Sequence, residues 1–212
     1  MGVKSAYAAA ATSKWRRSED AFRAPGLIGP NAVLQLLPLL DRLGGPDRRA
    51  RMLAEAGIFE VPSGQSMIPE TSAARLHQQL RLEEPVLAAG ISARAGFETA
   101  NYILAHRIPR AAQLLLKVLP EGPSAFLLAA AISKHAWTFV GSGDFRILDP
   151  WNFEITGNPL ILGERSEFCL CHWHTAVFER LYQFLVAPSC KCVETECGAQ
   201  GPDHKCCFKL ER

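Results

Sequence analysis

Seven cysteines crowd the C-terminal part of the chain and constrain its fold more than any other feature. All seven lie between residues 169 and 207 of a chain of 212 residues. An odd number of clustered cysteines in a cytosolic chain favours metal binding over disulfides. Buried thiols acting as small hydrophobic side chains are the alternative. Seven cysteines in so short a span, with charged neighbours, nevertheless indicate a metal site.

The N-terminal sequence and the charge balance predict a cytoplasmic protein that does not bind nucleic acid. The apolar stretch at residues 6–11 is short and runs into Trp15, Arg16 and Arg17, which fits neither a secretory nor a twin-arginine signal. The longest purely apolar run, residues 125–132, is too short to cross a bilayer. The formal net charge is only +2, whereas nucleic-acid-binding domains usually carry a clear basic excess.

Composition divides the chain into an arm at residues 1–25 and one domain at residues 26–212. The arm is rich in Ala, Ser and Arg and lacks apolar periodicity, so we expect it to be mobile. Residues 26–135 show helical patterns, and residues 136–212 are predicted to be richer in strands. Predicted helices begin near residue 30, 47, 71, 86, 110 and 124, and Gly44-Gly45-Pro46 should stop the first.

The second part of the domain combines strands with one strong helix. Aromatic and apolar residues alternate with polar or small ones between Trp137 and Ile155, which predicts a meander of two or three antiparallel strands. A helix over about residues 172–186 follows, and then a strand pair at about 191–195 and 205–210. Helices first and strands last predict an α+β fold, with helices packed on an antiparallel sheet.

The last strand pair brings several metal-ligating residues to one place. A hairpin puts Cys197 and Cys206 on either side of a tight connection, and Glu194 lies three residues before Cys197. Zinc takes four ligands from thiolate, imidazole or carboxylate, so a residue at the start of the preceding helix would complete the set. The spacing alone does not choose the four ligands.

The pattern Glu194-x-x-Cys197, Gly201, Cys206-x-Phe208 resembles the closing motif of the 4-vinyl reductase domain family. The resemblance implies a structural zinc ion bound by Cys171, Glu194, Cys197 and Cys206, which would close the C-terminal hairpin. Cys169 and Cys207 stay as alternatives to the first and the last of these ligands.

Four further stretches, at residues 67–70, 102–109, 135–139 and 172–181, resemble the branch of this family that serves bacteriochlorophyll biosynthesis. The resemblance covers residue 25 to the C-terminus. It implies a ligand-binding fold like that of TRAPP-type vesicle-tethering subunits, with a pocket for a hydrophobic molecule, here a magnesium tetrapyrrole that carries a vinyl group. Candidate pocket residues are His106, His135, Trp137, Phe139 and Trp173.

The sequence contains no recognisable redox-cofactor motif, which weighs against the reductase activity in the family name. Gly141-Ser142-Gly143 lacks a third glycine and opens no helix, so it does not predict dinucleotide binding. We therefore expect an accessory protein that holds a magnesium-porphyrin or protochlorophyllide-type intermediate or delivers it to a pathway enzyme, as a homodimer peripheral to the photosynthetic membrane. Reduction of the 8-vinyl (old numbering 4-vinyl) group of a divinyl precursor is one alternative, and a small-molecule sensor or interaction module is another.

Overall fold

The computed structural model describes residues 26–202 and 204–212. The arm predicted at residues 1–25 lies outside the described residues. The helices are α1 (Asn31–Leu34), α2 (Leu37–Glu55), α3 (Glu70–Glu83), α4 (Ala88–His106), α5 (Arg110–Val118), α6 (Glu121–Lys134), α7 (Trp137–Val140) and α8 (His172–Leu185). The strands are β1 (Leu27–Ile28), β2 (Ile68–Pro69), β3 (Asp144–Asp149), β4 (Asn152–Thr156), β5 (Lys191–Glu196) and β6 (Lys205–Glu211).

The strands form two antiparallel sheets. β1 pairs with β2, and the larger sheet has the order β3-β4-β6-β5. The predicted α+β class, with helices against an antiparallel sheet, is confirmed. Among the described helices, none is both long and apolar enough to cross a membrane.

The predicted helices are present, with shifted ends and one kink. α3 begins at Glu70, close to its predicted start near residue 71, and no side chain caps it. Gly44 and Gly45 interrupt α2 with non-helical backbone angles. Gly45 has φ of 78°, which favours glycine because the residue has no Cβ. The predicted stop is therefore a kink between two helical segments.

The prediction of strand structure from Trp137 onward was wrong for its first residues. Trp137–Val140 is a helical turn, and the strands begin only at Asp144. The alternating large residues here do not share one buried face. Trp137 is exposed, whereas Phe139 packs against Phe145 and Phe178. Gly141, with φ of 57°, ends the turn.

The core centres on α8, which packs between α4 and the larger sheet. Phe178 and Tyr182 of α8 contact Phe153 of β4, and Phe178 also contacts Phe208 of β6. On the other side of α8, Gly96 of α4 lies so close that a Cβ there would overlap the backbone oxygen of Trp173. This packing fixes the start of α8 relative to the end of the sheet, where the cysteines gather.

Candidate metal centre

Cys171, Glu194, Cys197 and Cys206 meet at the junction of α8 and the β5–β6 hairpin. One potential ligand atom from each lies within 4.8 Å of the others. The Sγ atoms of Cys171 and Cys206 are 3.2 Å apart. The three cysteines are buried and the glutamate is half-buried. Four convergent ligands of this kind could hold a metal ion.

Local structure explains how residues so far apart in sequence converge. Cys171 immediately precedes α8. The pairing of β5 with β6 is irregular between Glu194 and Glu196, and this shift carries the chain from Glu194 to Cys197 at the end of the strand. Cys206 lies in β6, opposite Ile155 of β4, and has no exposed surface.

Hydrogen bonds from nitrogen atoms orient the three sulfur atoms. The Asn158 side chain donates to Cys171 Sγ at 3.2 Å, the Leu170 amide to Cys197 Sγ at 3.4 Å, and the Gly198 amide to Cys206 Sγ at 3.4 Å. Donors around thiolates support a metal site, because groups outside the ligand shell fix the orientation and charge of the ligands.

The carboxylate of Glu194 is only half satisfied by the protein. Its Oε2 accepts a hydrogen bond from the Cys171 amide at 2.9 Å. Its Oε1 is buried and has no hydrogen-bond partner. A buried carboxylate oxygen without a partner is costly, and a cation in the cluster would supply that partner. The donor set of three thiolates and one carboxylate fits zinc.

Without a cation, protons compensate the charge of this cluster. Burial raises the pKa of Glu194 to about 8 and raises the pKa of Cys171 well above its usual range. Hydrogen bonds with Cys171 and Cys206 hold the pKa of Cys197 far below its usual range. These opposite directions favour negative charge on Cys197 and protons on its neighbours. A divalent cation would displace those protons as it binds.

The other four cysteines lie outside the cluster, and all seven are free thiols. Cys169 is half-buried, and its Sγ lies 3.6 Å from the backbone oxygen of Glu194. Cys207 follows Cys206 in β6, so it points to the opposite face of the sheet. Cys190 and Cys192 are buried beside α8, where the Glu179 carboxylate accepts a hydrogen bond from the Cys192 amide at 2.9 Å.

Asn158 is the site residue that the sequence analysis missed. It is 2 % exposed, and it lies just before the short 3₁₀ helix Pro159–Ile161, where its side-chain oxygen accepts the Leu160 amide. Its amide also lies 3.4 Å from Nδ1 of His174, which is buried. An Asn-Pro pair signals a turn in any sequence, and nothing local marks this one as a neighbour of a thiol.

The five candidate pocket residues do not converge on one cavity. His106 lies at the exposed end of α4, where its ring is tilted against the ring of Tyr102. His135 and Trp137 are exposed and lie two residues apart at the α6–α7 junction. Trp173 is buried against His77, with its indole nitrogen unpaired. Phe139 belongs to the aromatic core described above.

A separate apolar groove of about 300 Å³ opens between α2 and the start of α4. Leu39, Leu43, Leu87 and Ile91 line it, and Arg42 is its one charged residue. Small-molecule sites are usually apolar with a few polar groups and occupy about 300–1,000 Å³. The groove therefore reaches the lower end of that range.

Two curated proteins are similar to this chain over most of its length. The bacteriochlorophyll synthase 23 kDa chain of Cereibacter sphaeroides is 48% identical over 185 residues, covering 86% of this chain and 89% of that protein. The protein of the same name from Rhodobacter capsulatus is 45% identical over 174 residues, covering 81% of each. No family model matches the chain, so membership of the 4-vinyl reductase domain family stays a prediction.

Solved structures of H-NOX proteins share the fold at very low sequence identity. The Fe(II) unliganded H-NOX protein from K. algicida superposes with a TM-score of 0.55 at 9% identity, covering 87% of this chain and 96% of that one. An H-NOX protein from S. oneidensis in the Fe(II)NO ligation state gives 0.54 at 11% identity, covering 87% and 98%. This likeness concerns the fold alone, and the expected TRAPP-like topology stays a prediction.

Proposed function

The chain belongs to the family of the bacteriochlorophyll synthase 23 kDa chain, and we propose that it is an accessory protein of bacteriochlorophyll biosynthesis that binds a tetrapyrrole intermediate. The cargo would be a magnesium-porphyrin or protochlorophyllide-type molecule, held for a pathway enzyme or delivered to it. The identity of 45–48% to relatives with that name carries the proposal.

The exposed pair His135 and Trp137 is the proposed contact for this cargo. A tetrapyrrole has a wide apolar face, which an exposed indole can stack against, and a central magnesium ion, which a neutral imidazole can ligate. Trp137 is 57 % exposed. His106, which is also exposed, lies on another helix. Phe139 and Trp173 pack in the core, against Phe178 and His77 respectively.

The groove beside Arg42 is the competing location. Its apolar walls suit the edge of a macrocycle, and a guanidinium group suits a carboxylate side chain of the pigment precursor. Gly90 lines this groove, and a Cβ added there would meet nothing within 4 Å. A larger side chain at position 90 can therefore start into the groove without a clash at its Cβ.

We assign a structural zinc ion to the cluster of Cys171, Glu194, Cys197 and Cys206. Four protein ligands leave zinc no open position for a substrate, and zinc does not change its redox state. The cluster would therefore hold the C-terminal hairpin against α8, and it would not supply the electrons for vinyl reduction. A carrier role, peripheral to the photosynthetic membrane and in contact with a pathway enzyme, agrees better with such a centre.

The test is an absorbance titration of the purified protein with a divinyl magnesium porphyrin, with and without reduced nicotinamide. We expect a red-shifted, saturable spectrum and no loss of the vinyl group. His135→Gln with Trp137→Leu should weaken binding about tenfold or more, because stacking and magnesium ligation are lost. Gly90→Trp is the matched variant in the groove and should leave the affinity unchanged.

Three outcomes would contradict parts of the proposal. No spectral change at any concentration would contradict tetrapyrrole binding. Loss of binding in Gly90→Trp alone would move the cargo into the groove. Turnover of the vinyl group by the pure protein would establish the reductase activity instead.

A further inference from the structure

The two consecutive helices α5 and α6 expose large apolar side chains to solvent. In α5, Leu114, Leu115 and Val118 are 66 %, 53 % and 78 % exposed, and only Leu116 is buried. In α6, Phe126 and Leu127 are 62 % and 43 % exposed. We call these five residues the α5–α6 apolar surface. Single exposed apolar residues are ordinary, but five large ones on two consecutive helices indicate a surface that binds something.

The outer face of α6 is apolar along almost its whole length. Ala130 and Ala131, one turn after Phe126 and Leu127, are also exposed. The opposite face of α6 is buried through Leu128, Ala129 and Ile132. A helix that is apolar all round is usually buried on all sides. The outer side of α6 therefore lacks a covering partner among the described residues.

Within residues 107–134, which form α5, α6 and the connections at their ends, the charges have one dominant sign. From residue 107 to residue 134 the chain carries four basic side chains, Arg107, Arg110, Lys117 and Lys134, and one acidic side chain, Glu121. All five are exposed. The whole chain, in contrast, has 23 basic and 21 acidic residues. Glu121 also lies 4.0 Å from Arg212, which offsets its charge.

Apolar side chains bordered by basic ones are the chemistry that recognises an anionic bilayer surface. Leu, Phe and Val side chains can enter the boundary between headgroups and acyl chains, while Lys and Arg stay at the level of the anionic headgroups. Each basic residue near such a surface contributes about a fivefold increase in partitioning. A second copy docked through the same surface would bring these basic residues face to face, and Glu121 is the one acidic residue between positions 107 and 134 that could offset them.

We propose that the α5–α6 apolar surface, with Arg107, Arg110, Lys117 and Lys134, docks the protein on an anionic lipid bilayer. The inference rests on the proposed membrane-peripheral location and does not require the tetrapyrrole cargo. It gives the protein a defined orientation, with α5 and α6 against the headgroups. Cargo held near His135 and Trp137, at the end of α6, would then lie close to the membrane surface.

The experiment is sedimentation of the full chain with vesicles that contain no pigment. One set is phosphatidylcholine alone, and the other is an equal mixture of phosphatidylcholine and phosphatidylglycerol. We expect binding to the mixed vesicles that is at least tenfold tighter than to the neutral ones and that weakens with added salt. Leu115→Gln with Phe126→Gln should lower that binding about tenfold or more. Arg110→Gln with Lys134→Gln should lower it about 25-fold, at roughly fivefold for each residue.

Phe59→Gln is the matched control, because Phe59 is 86 % exposed but lies in the loop between α2 and β2. It should bind the mixed vesicles like the unmodified protein. Thermal unfolding of each variant shows that it is folded, and the charge variant tests the proposal even if the apolar variant unfolds.

Several results would overturn the inference. The first is no binding of the unmodified protein to the mixed vesicles. Others are equal loss in the Phe59 variant, and binding that neither double variant weakens. A dimer in sedimentation equilibrium that only the Leu115 and Phe126 variant dissociates would assign the surface to a second copy instead. Absent vesicle binding would leave the pigment titration unaffected, so failure of this inference and failure of the proposed function are distinguishable.

Discussion

Replacing Cys206 or Cys207 by serine tests the metal centre, because the two cysteines are neighbours in β6 but only the sulfur of Cys206 belongs to the cluster. Cys206 has no exposed surface and contributes a sulfur to the four-residue cluster. Cys207 is half-buried on the other face of β6. The two substitutions change the same atom in adjacent positions of one strand. Only Cys206→Ser should remove a metal ligand.

The magnitude follows from linkage between metal binding and folding. Free zinc at 1,000 times its dissociation constant stabilises the native state by about 4.1 kcal/mol. If loss of one thiolate weakens binding about 1,000-fold, the same zinc concentration stabilises Cys206→Ser by only about 0.4 kcal/mol. One kcal/mol shifts the melting temperature of a domain of this size by roughly 2–4 °C. A chelator should therefore lower the melting temperature of the unmodified protein by roughly 8–16 °C and that of Cys206→Ser by roughly 1–2 °C.

The assay compares thermal unfolding with zinc and with chelator, because the substitution also has a metal-independent cost. A serine hydroxyl buried at position 206 without its own partner destabilises the fold by about 1–3 kcal/mol, which lowers both melting temperatures equally. Cys207→Ser should keep the full chelator effect. At the same free zinc concentration, elemental analysis should give one zinc per chain for the unmodified protein and Cys207→Ser, and about half of that for Cys206→Ser. A chelator effect lost in Cys207→Ser but kept in Cys206→Ser would refute the ligand assignment, and no chelator effect in any of the three would refute the structural role of the metal.

Three further predictions concern the core and the surroundings of the cluster. Gly96→Ala should destabilise the protein by about 1–3 kcal/mol in urea unfolding, because its Cβ would overlap the backbone of α8, whereas Gly90→Ala, in open space on the same helix, should be neutral or stabilising by up to about 1 kcal/mol. Burial lowers the pKa of His77 from 6.5 to about 3. Between these pH values the unfolded chain therefore binds one more proton at this residue than the native state does. The free energy of unfolding is unaffected by His77 above pH 6.5, and it falls by about 1.4 kcal/mol per pH unit from pH 6.5 toward pH 3. His77→Gln should flatten the measured profile by that slope, and a profile parallel to that of the unmodified protein would contradict the assignment. Asn158→Leu removes the donor to Cys171 and should lower zinc affinity about 10–100-fold in chelator competition at unchanged stoichiometry; unchanged affinity would show that the hydrogen bond does not tune the ligand.

The local pattern of the chain was enough to predict most helices and the final hairpin. The helix that begins at His172 and the strand that begins at Lys205 start where the sequence analysis placed them. Both have strong periodicity and clear turn residues at their ends. The prediction for Trp137 to Val140 was wrong because alternation over four residues does not distinguish a helical turn from a strand.

In the candidate site, too, contacts between residues close in sequence were predictable, and contacts between distant segments were not. Glu194 and Cys197 are close in sequence, and the hairpin signals brought Cys206 opposite them. Asn158 could not be recognised, because its approach to Cys171 depends on how β4, the 3₁₀ helix and the start of α8 pack together. The dispersal of the candidate pocket residues has the same origin. Phe139 and His135 are four residues apart, yet packing sends one into the aromatic core and leaves the other in solvent.

By itself, the sequence determined the α+β class and the order of most elements, because these depend on periodicity and turn residues. It also placed a metal site near the last hairpin, although the choice of its four ligands came from a resemblance to a known family and not from spacing. Only the tertiary structure decided which sulfur faces the cluster, that Glu194 keeps an unpaired oxygen there, and that α5 and α6 leave an apolar surface exposed. Those properties depend on which face of each element its neighbours cover. Local sequence carries little of that information, because each face is covered by residues distant in the chain.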